Sequence, residues 1–131
     1  MTQPLALIIE DDPKLGAIYD TVLRQTGFET EIIRRGDEAL KRLSQVSPHL
    51  ILLDIHLPYV SGVELLQVIR ATESLAKVPV IVLTADIFLA ETMEDQADYV
   101  IVKSYGVSRL RELVTKLAMS RTPPTGSAET T

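Results

Sequence analysis

The sequence contains no cysteine. Disulfides, thiolate metal sites and cysteine nucleophiles are thereby excluded, and the composition fits a reducing compartment. Positive charge is scarce: 13 Lys and Arg stand against 18 Asp and Glu, a net charge of −5. No basic stripe is left for nucleic-acid phosphates, so direct nucleic-acid binding is not expected. Long apolar runs are missing too. The longest, Val78 to Leu83, falls far short of the ~18–20 residues that cross a bilayer. Met1-Thr2-Gln3-Pro4 offers no basic region, and the apolar stretch Leu5–Ile9 stops at Glu10. No signal peptide is predicted, and a cytoplasmic location is expected.

What is present describes one globular domain. The chain has 131 residues, 46% of them apolar and 24% charged, which excludes disorder throughout. The stretch from Arg121 to Thr131 is Pro, Gly, Ser and Thr with little apolar content. The expected division is a domain over residues 1–120 and a disordered tail or linker over 121–131.

Short apolar runs alternate with segments of helical period. Leu5–Ile9 reads as a strand. Asp12 can cap a helix that begins at Pro13, where a missing N–H costs nothing. Leu15, Ile18, Tyr19, Val22 and Leu23 share one face of it, and Gly27 stops it. Phe28, Thr30 and Ile32 alternate with Glu29 and Glu31, the pattern of a half-exposed strand near an edge. Gly36-Asp37 turns the chain and caps a second helix with Leu40 and Leu43 inward. Leu50–Leu53 is a buried strand that runs into Asp54. A loop with Pro58 and Gly62 precedes a third helix carrying Leu65, Leu66 and Ile69. Pro79 opens a fourth strand that ends at Leu83-Thr84. A short helix follows, about Ile87 to Asp95, then a fifth strand, Val100-Ile101-Val102, and Lys103. Leu110, Leu113, Val114 and Leu117 mark the last helix. Such strict alternation predicts an α/β fold, a parallel sheet covered on both faces by helices.

In that fold ligands bind outside the carboxyl ends of the strands. Four strand ends are polar here: Glu10-Asp11-Asp12, Asp54, Thr84 and Lys103. At ~4 Å and an effective dielectric of ~20, each carboxylate pair would repel by roughly 4 kcal/mol. Lys103 alone cannot neutralise Glu10, Asp11 and Asp54. A hard divalent ion suits this oxygen-only set, and Mg²⁺ suits carboxylates shared with water and phosphate oxygens. With a hydroxyl and an ammonium beside it, the site would cradle a phosphoryl group, and a carboxylate could take it as an acyl phosphate. Taken singly, Asp12 reads better as a helix cap than as a ligand, and an isolated Asp after a strand as a turn residue. The joint arrangement carries the reading. His49, at a strand entrance, is expected to do nothing chemical.

The stretches LALIIEDDP, LILLDIHLPYVSG, VIVLTA and VIVKS resemble the receiver domain of two-component response regulators, over residues 5 to about 118. The second is the most specific, with Pro58 four and Gly62 eight residues after Asp54. The resemblance implies a flavodoxin-like doubly wound sheet of five parallel strands, order 2-1-3-4-5, with five helices. It implies Asp54 as phosphoacceptor, Asp11 binding Mg²⁺ (or Mn²⁺) directly, Glu10 through water, and the His56 carbonyl as a further ligand. Thr84 and the Ala85 amide would meet the phosphoryl oxygens, and Lys103 would pair with them or with Asp54. The implied donor is a sensor histidine kinase or phosphotransfer protein. The implied read-out is the face of helix four, strand five and helix five, toward an output domain, a protein target or a second copy. Self-phosphorylation and slow self-dephosphorylation would be its only catalysis.

Three departures from the family pattern fall on the read-out side. Ser104 replaces the proline after Lys103, so the usual cis bond there is expected to be trans. The aromatic position three before Lys103 is Val100, and Tyr99, one step earlier, should face the other way. Tyr105 reads as packing. The segment from Thr84 to Lys103 is short, so helix four should be short or irregular. Asp86 reads as its cap, although its position and that of His56 bear on phosphoryl lifetime in this family. These departures keep a competing reading open: a pseudo-receiver that binds proteins without phosphorylation. A haloacid-dehalogenase-type phosphatase fits poorly, because His56 stands where its second Asp belongs. A flavin carrier fits poorly too, because acids follow strand one where a phosphate loop would lie.

Overall fold

A computed structural model describes residues 3–103 and 106–121 of the chain. The order is β1 (Leu5–Ile9), α1 (Pro13–Gln25), β2 (Glu29–Ile33), α2 (Gly36–Leu43), β3 (Leu50–Asp54), α3 (Gly62–Ala71), β4 (Val80–Thr84), α4 (Ile87–Met93), β5 (Tyr99–Val102) and α5 (Gly106–Arg121). The strands form one sheet, β2-β1-β3-β4-β5, and every pairing is parallel. This is the expected doubly wound order. No described helix is long and apolar enough to cross a membrane.

Local chemistry accounts for most boundaries. The Asp12 carboxylate accepts from the N–H groups of Lys14 (2.8 Å) and Leu15 (3.2 Å), and Pro13 occupies the first turn of α1. Gly27, at φ 96°, turns the chain out of α1 and lets the Phe28 N–H reach back to the Leu23 carbonyl. Ser61 caps α3 through the Glu64 N–H. Asp86 caps α4 through the N–H groups of Phe88 and Leu89, as expected, and α4 is a short helix of 7 residues.

Strand alternation divides the core. Leu7, Ile9, Ile51, Leu53, Val80 and Val82 pack against α2, α3 and α4 through Ala39, Leu65, Ile69 and Met93. Ala6, Ile8, Leu50, Leu52, Ile81, Leu83 and Ile101 pack on the opposite face against Tyr19, Val22 and Leu23 of α1 and Leu110, Leu113 and Val114 of α5. Every residue of β3 and β4 is buried, because helices cover both faces of a parallel sheet.

Several expectations shift. Ile18 is 41% exposed, and Gly16 is buried in its place. At ~100° per residue, Ile18 lies roughly 85° from the centre of the Leu15–Tyr19–Val22–Leu23 stripe, on the flank of the helix. Asp37 does not cap α2: Arg35 holds the cap position without a side-chain bond, Gly36 is the first helical residue, and Asp37 pairs with Arg35. Leu40 is only partly buried there. β5 begins one residue early, at Tyr99, and α4 ends at Met93 instead of Asp95. Tyr99 packs on the α1/α5 side and Val100 on the α2/α3/α4 side, as the alternation predicts. The Lys103–Ser104 bond, Tyr105 and residues 122–131 lie outside the described residues.

Glycine spacing fixes how the loops seat. A Cβ on Gly36 would lie 1.9 Å from the Val60 carbonyl oxygen, whereas one on Gly16 would meet only Ile32 Cγ2 at 3.7 Å. Gly36→Ala should therefore destabilise the domain by about 1–3 kcal/mol through overpacking. Gly16→Ala should instead stabilise it by up to about 1 kcal/mol, because alanine is the better helix former. Urea denaturation of the two variants beside the parent checks the opposite signs.

Candidate functional site

Register brings the polar strand ends together. Ile9 is level with Leu53, Asp54 with Leu83, and Thr84 with Val102. Glu10 therefore follows β1 level with Asp54, and Lys103 follows β5 just past Thr84. Glu10 and Asp54 are each only 1% exposed. Lys103 Nζ lies 3.2 Å from Glu10 Oε1 and 3.4 Å from Asp54 Oδ1. Asp11 is exposed but points one oxygen into the same cluster: ligand atoms from Glu10, Asp11 and Asp54 all lie within 4.8 Å of one another.

Each rim side chain also shapes the turn that follows it. Glu10 Oε2 accepts from the Asp12 N–H at 3.2 Å, Asp54 Oδ1 from the His56 N–H at 3.1 Å, and Thr84 Oγ1 from the Asp86 N–H at 3.0 Å. Side chains that bond the backbone two residues on favour turns over continued strand. The sequence assigns His56 a carbonyl ligand and a position that bears on phosphoryl lifetime, but no part for its amide. Its amide, which holds the Asp54 carboxylate, was legible as an Asp-initiated turn.

The remaining candidates stand around this core. Thr84 is fully buried at the end of β4, and among the described residues no hydrogen bond joins it to the carboxylates. Ala85 and the His56 side chain are exposed beside the cluster. Asp12 serves as the α1 cap, and His49 accepts from the Leu5 N–H at 3.1 Å at the far edge of the sheet. The Pro58–Gly62 spacing has a steric cause. A Cβ on Gly62 would lie 2.5 Å from the Asp54 carbonyl oxygen, and the Gly62 N–H bonds the Ile55 carbonyl at 2.9 Å. Only glycine lets α3 start this close to the acceptor strand.

The charges are out of balance. Burial, reinforced by the side-chain contact with Asp54 and by that neighbour's charge, pushes the Glu10 carboxyl up to about 7; the Asp12 N–H and Lys103 oppose the rise. Burial works against the Lys103 ammonium, yet the charges of Asp54 and Glu10 outweigh it and hold its pKa above the ordinary value. Glu10 Oε1 is buried without a well-directed hydrogen bond, facing the ammonium only as an ion pair. Crowded, under-neutralised carboxylate oxygens with no nitrogen or sulfur donor fit a hard divalent cation.

Comparison with known proteins places this geometry in context. A family model described as the response regulator receiver domain matches residues 6–115. The DNA-binding response regulator MtrA of Mycolicibacterium smegmatis is 34% identical over 116 residues, covering 85% of this chain and 47% of that protein. The chain thus spans about half the length of the curated relatives it matches. The signal receiver domain of a signal transduction histidine kinase from Syntrophus aciditrophicus aligns with a TM-score of 0.79 and 31% identity, over 91% of this chain and 92% of that one. The Mn²⁺-bound form of the response regulator Rcp1 aligns with a TM-score of 0.75 and 27% identity, over 87% of this chain and 91% of that one.

The raised Glu10 pKa sets a direction for stability against pH. Its folded value lies above its ordinary 4.5, so the protonated form favours the folded state. That contribution is complete below about pH 4.5 and is lost as the pH rises through about 7. In chelator-treated protein, the stability of the parent relative to Glu10→Gln should therefore fall between these two values. Thermal melts of both proteins across that range check the trend.

Proposed function

The chain belongs to the response regulator receiver domain family, and from that premise we propose that Asp54 accepts a phosphoryl group from a phosphohistidine of a sensor histidine kinase or phosphotransfer protein. One observation carries this reading: a carboxylate 1% exposed at a strand end, with an ammonium 3.4 Å away and two more acidic oxygens beside it. An Asp54 carboxylate oxygen attacks phosphorus in line. The P–N bond to the donor imidazole breaks, its electron pair returns to the ring nitrogen, and an acyl phosphate remains.

The other residues of the rim manage charge. Lys103, already drawn toward Asp54, pairs with the incoming phosphoryl oxygens. The Thr84 hydroxyl is free to donate to one of them, since its present bond uses it only as acceptor. The Ala85 amide lies beside it on the β4–α4 turn. Asp11, Asp54 and the His56 carbonyl would hold Mg²⁺ or Mn²⁺, with Glu10 acting through water, and the bound ion would offset charge on the equatorial oxygens. The Mn²⁺-bound relative supports this choice of ion. The aspartyl phosphate carries about 1.5–2 negative charges where the carboxylate carried one, and its new acceptor oxygens, on a rim already short of cations, draw Thr84 inward and shift the α4–β5–α5 face.

Tyr99 gives this read-out its own character. It packs on the α1/α5 side, while Val100 occupies the face toward α4. Signalling here proceeds without a rotating ring at that position. A cytoplasmic site of action fits the absence of cysteine, and an output domain or protein target would receive the signal.

Incubation with acetyl phosphate and Mg²⁺, followed by intact mass, tests the proposal. The expected result is one added phosphoryl group that disappears in Asp54→Asn and when the metal is chelated. A folded protein that gains none, or an adduct that survives Asp54→Asn, overturns it. The first of these results would favour the pseudo-receiver reading.

A further inference from the structure

The loop between β3 and α3 carries His56 and is held in an unfavourable shape. Tyr59 has φ 72°, the only positive value at a non-glycine among the described residues. The Val60 N–H bonds the Pro58 carbonyl at 2.9 Å, so Tyr59 is the centre of a γ-turn of the hand that a Cβ disfavours. Tyr59 is 75% exposed, so it is not held there by burial in the core.

The turn between β2 and α2 lies against it. The Arg35 guanidinium lies 4.3 Å from the Tyr59 ring centroid, a cation–π distance. Two bonds to Asp37 fix that guanidinium: Nε to Oδ1 at 3.0 Å and Nη2 to Oδ2 at 2.8 Å. Beneath this pair the Gly36 N–H bonds the Pro58 carbonyl at 3.1 Å, and Gly36 leaves no room for a Cβ against Val60. At its other end the loop is pinned by the Gly62 N–H to Ile55. Between these two pins lies the segment from Ile55 to Val60, and Arg35 covers its strained residue.

We propose that Arg35 and Tyr59 form a latch that keeps the β3–α3 loop, and the His56 carbonyl on it, in the shape a divalent cation at Asp54 requires. Arg35 is then a positioning residue for the metal. The inference rests on the reading of Glu10, Asp11 and Asp54 as a cation site.

Charge and latch make opposite predictions. On charge alone, removing Arg35 leaves Asp37 unpaired on the same rim and should tighten a dication. The latch predicts weaker binding, because the loop relaxes away from positive φ once Tyr59 is uncovered. It also predicts rescue by glycine at 59, which accepts that conformation without help.

Mn²⁺ binding, read as free ion by electron paramagnetic resonance, separates the two. Arg35→Ala should weaken Mn²⁺ by about twofold to fivefold, the range of an exposed cation–π contact. Arg35→Ala/Tyr59→Gly should return to the parent value. Unchanged or tighter binding in Arg35→Ala overturns the latch, and so does a double variant that stays weak. Amide exchange at Val60, measured without metal, should be faster in Arg35→Ala than in the parent; equal rates overturn the latch independently of any ion. A parent protein that binds no Mn²⁺ but loses Val60 protection in Arg35→Ala would locate the failure in the cation reading.

Discussion

Glu10 and Asp54 are sealed from solvent side by side, and among the described residues the ammonium that touches both is Lys103. Two buried carboxylates that share one cation cannot both be fully charged at low cost in a poorly solvated pocket. Burial first, and the neighbouring Asp54 next, push the Glu10 carboxyl up to about 7. Asp11 adds a third set of oxygens at the mouth. The rim is thus short of positive charge, the imbalance on which the proposed divalent cation rests.

The rest of the fold serves to maintain that crowding. Parallel register sets Glu10 level with Asp54 and brings Lys103 up from β5. The two apolar layers, one under α2, α3 and α4 and the other under α1 and α5, bury the strands that carry these acids at their ends. The links from Glu10 to Asp12, from Asp54 to His56 and from Thr84 to Asp86 make each rim residue part of the turn it precedes. Asp12 and Asp86 in turn cap α1 and α4.

Much of this was legible in the residues themselves. Apolar runs that stop at acids marked the strands, Asp12-Pro13 marked α1, and alternation placed Tyr99 and Val100 on opposite faces. The candidate acids, the threonine and the lysine followed from a parallel sheet collecting its strand ends on one edge. What escaped depended on contacts between distant segments. Gly36 looked like an ordinary turn residue, but its smallness is needed against Val60. Asp37 looked like a cap and instead pairs with Arg35. Ile18 fits the apolar stripe, yet among the described residues no element covers it and it stands exposed. Arg70 drew no notice; it bonds the carbonyls of Ala76, Val78 and Gln96 and the Asp98 carboxylate, tying the starts of β4 and β5. The positive φ of Tyr59 breaks a local rule, and such violations are settled by tertiary structure and collect near functional sites.

If crowded oxygen at this rim selects a divalent cation, an anomalous difference map from crystals of the protein grown with Mn²⁺ should show it directly. One strong peak is expected, bonded to the carboxylates of Asp11 and Asp54 and to the His56 carbonyl. A map with no peak there, or with Lys103 alone satisfying both buried carboxylates at full Mn²⁺ concentration, would contradict it.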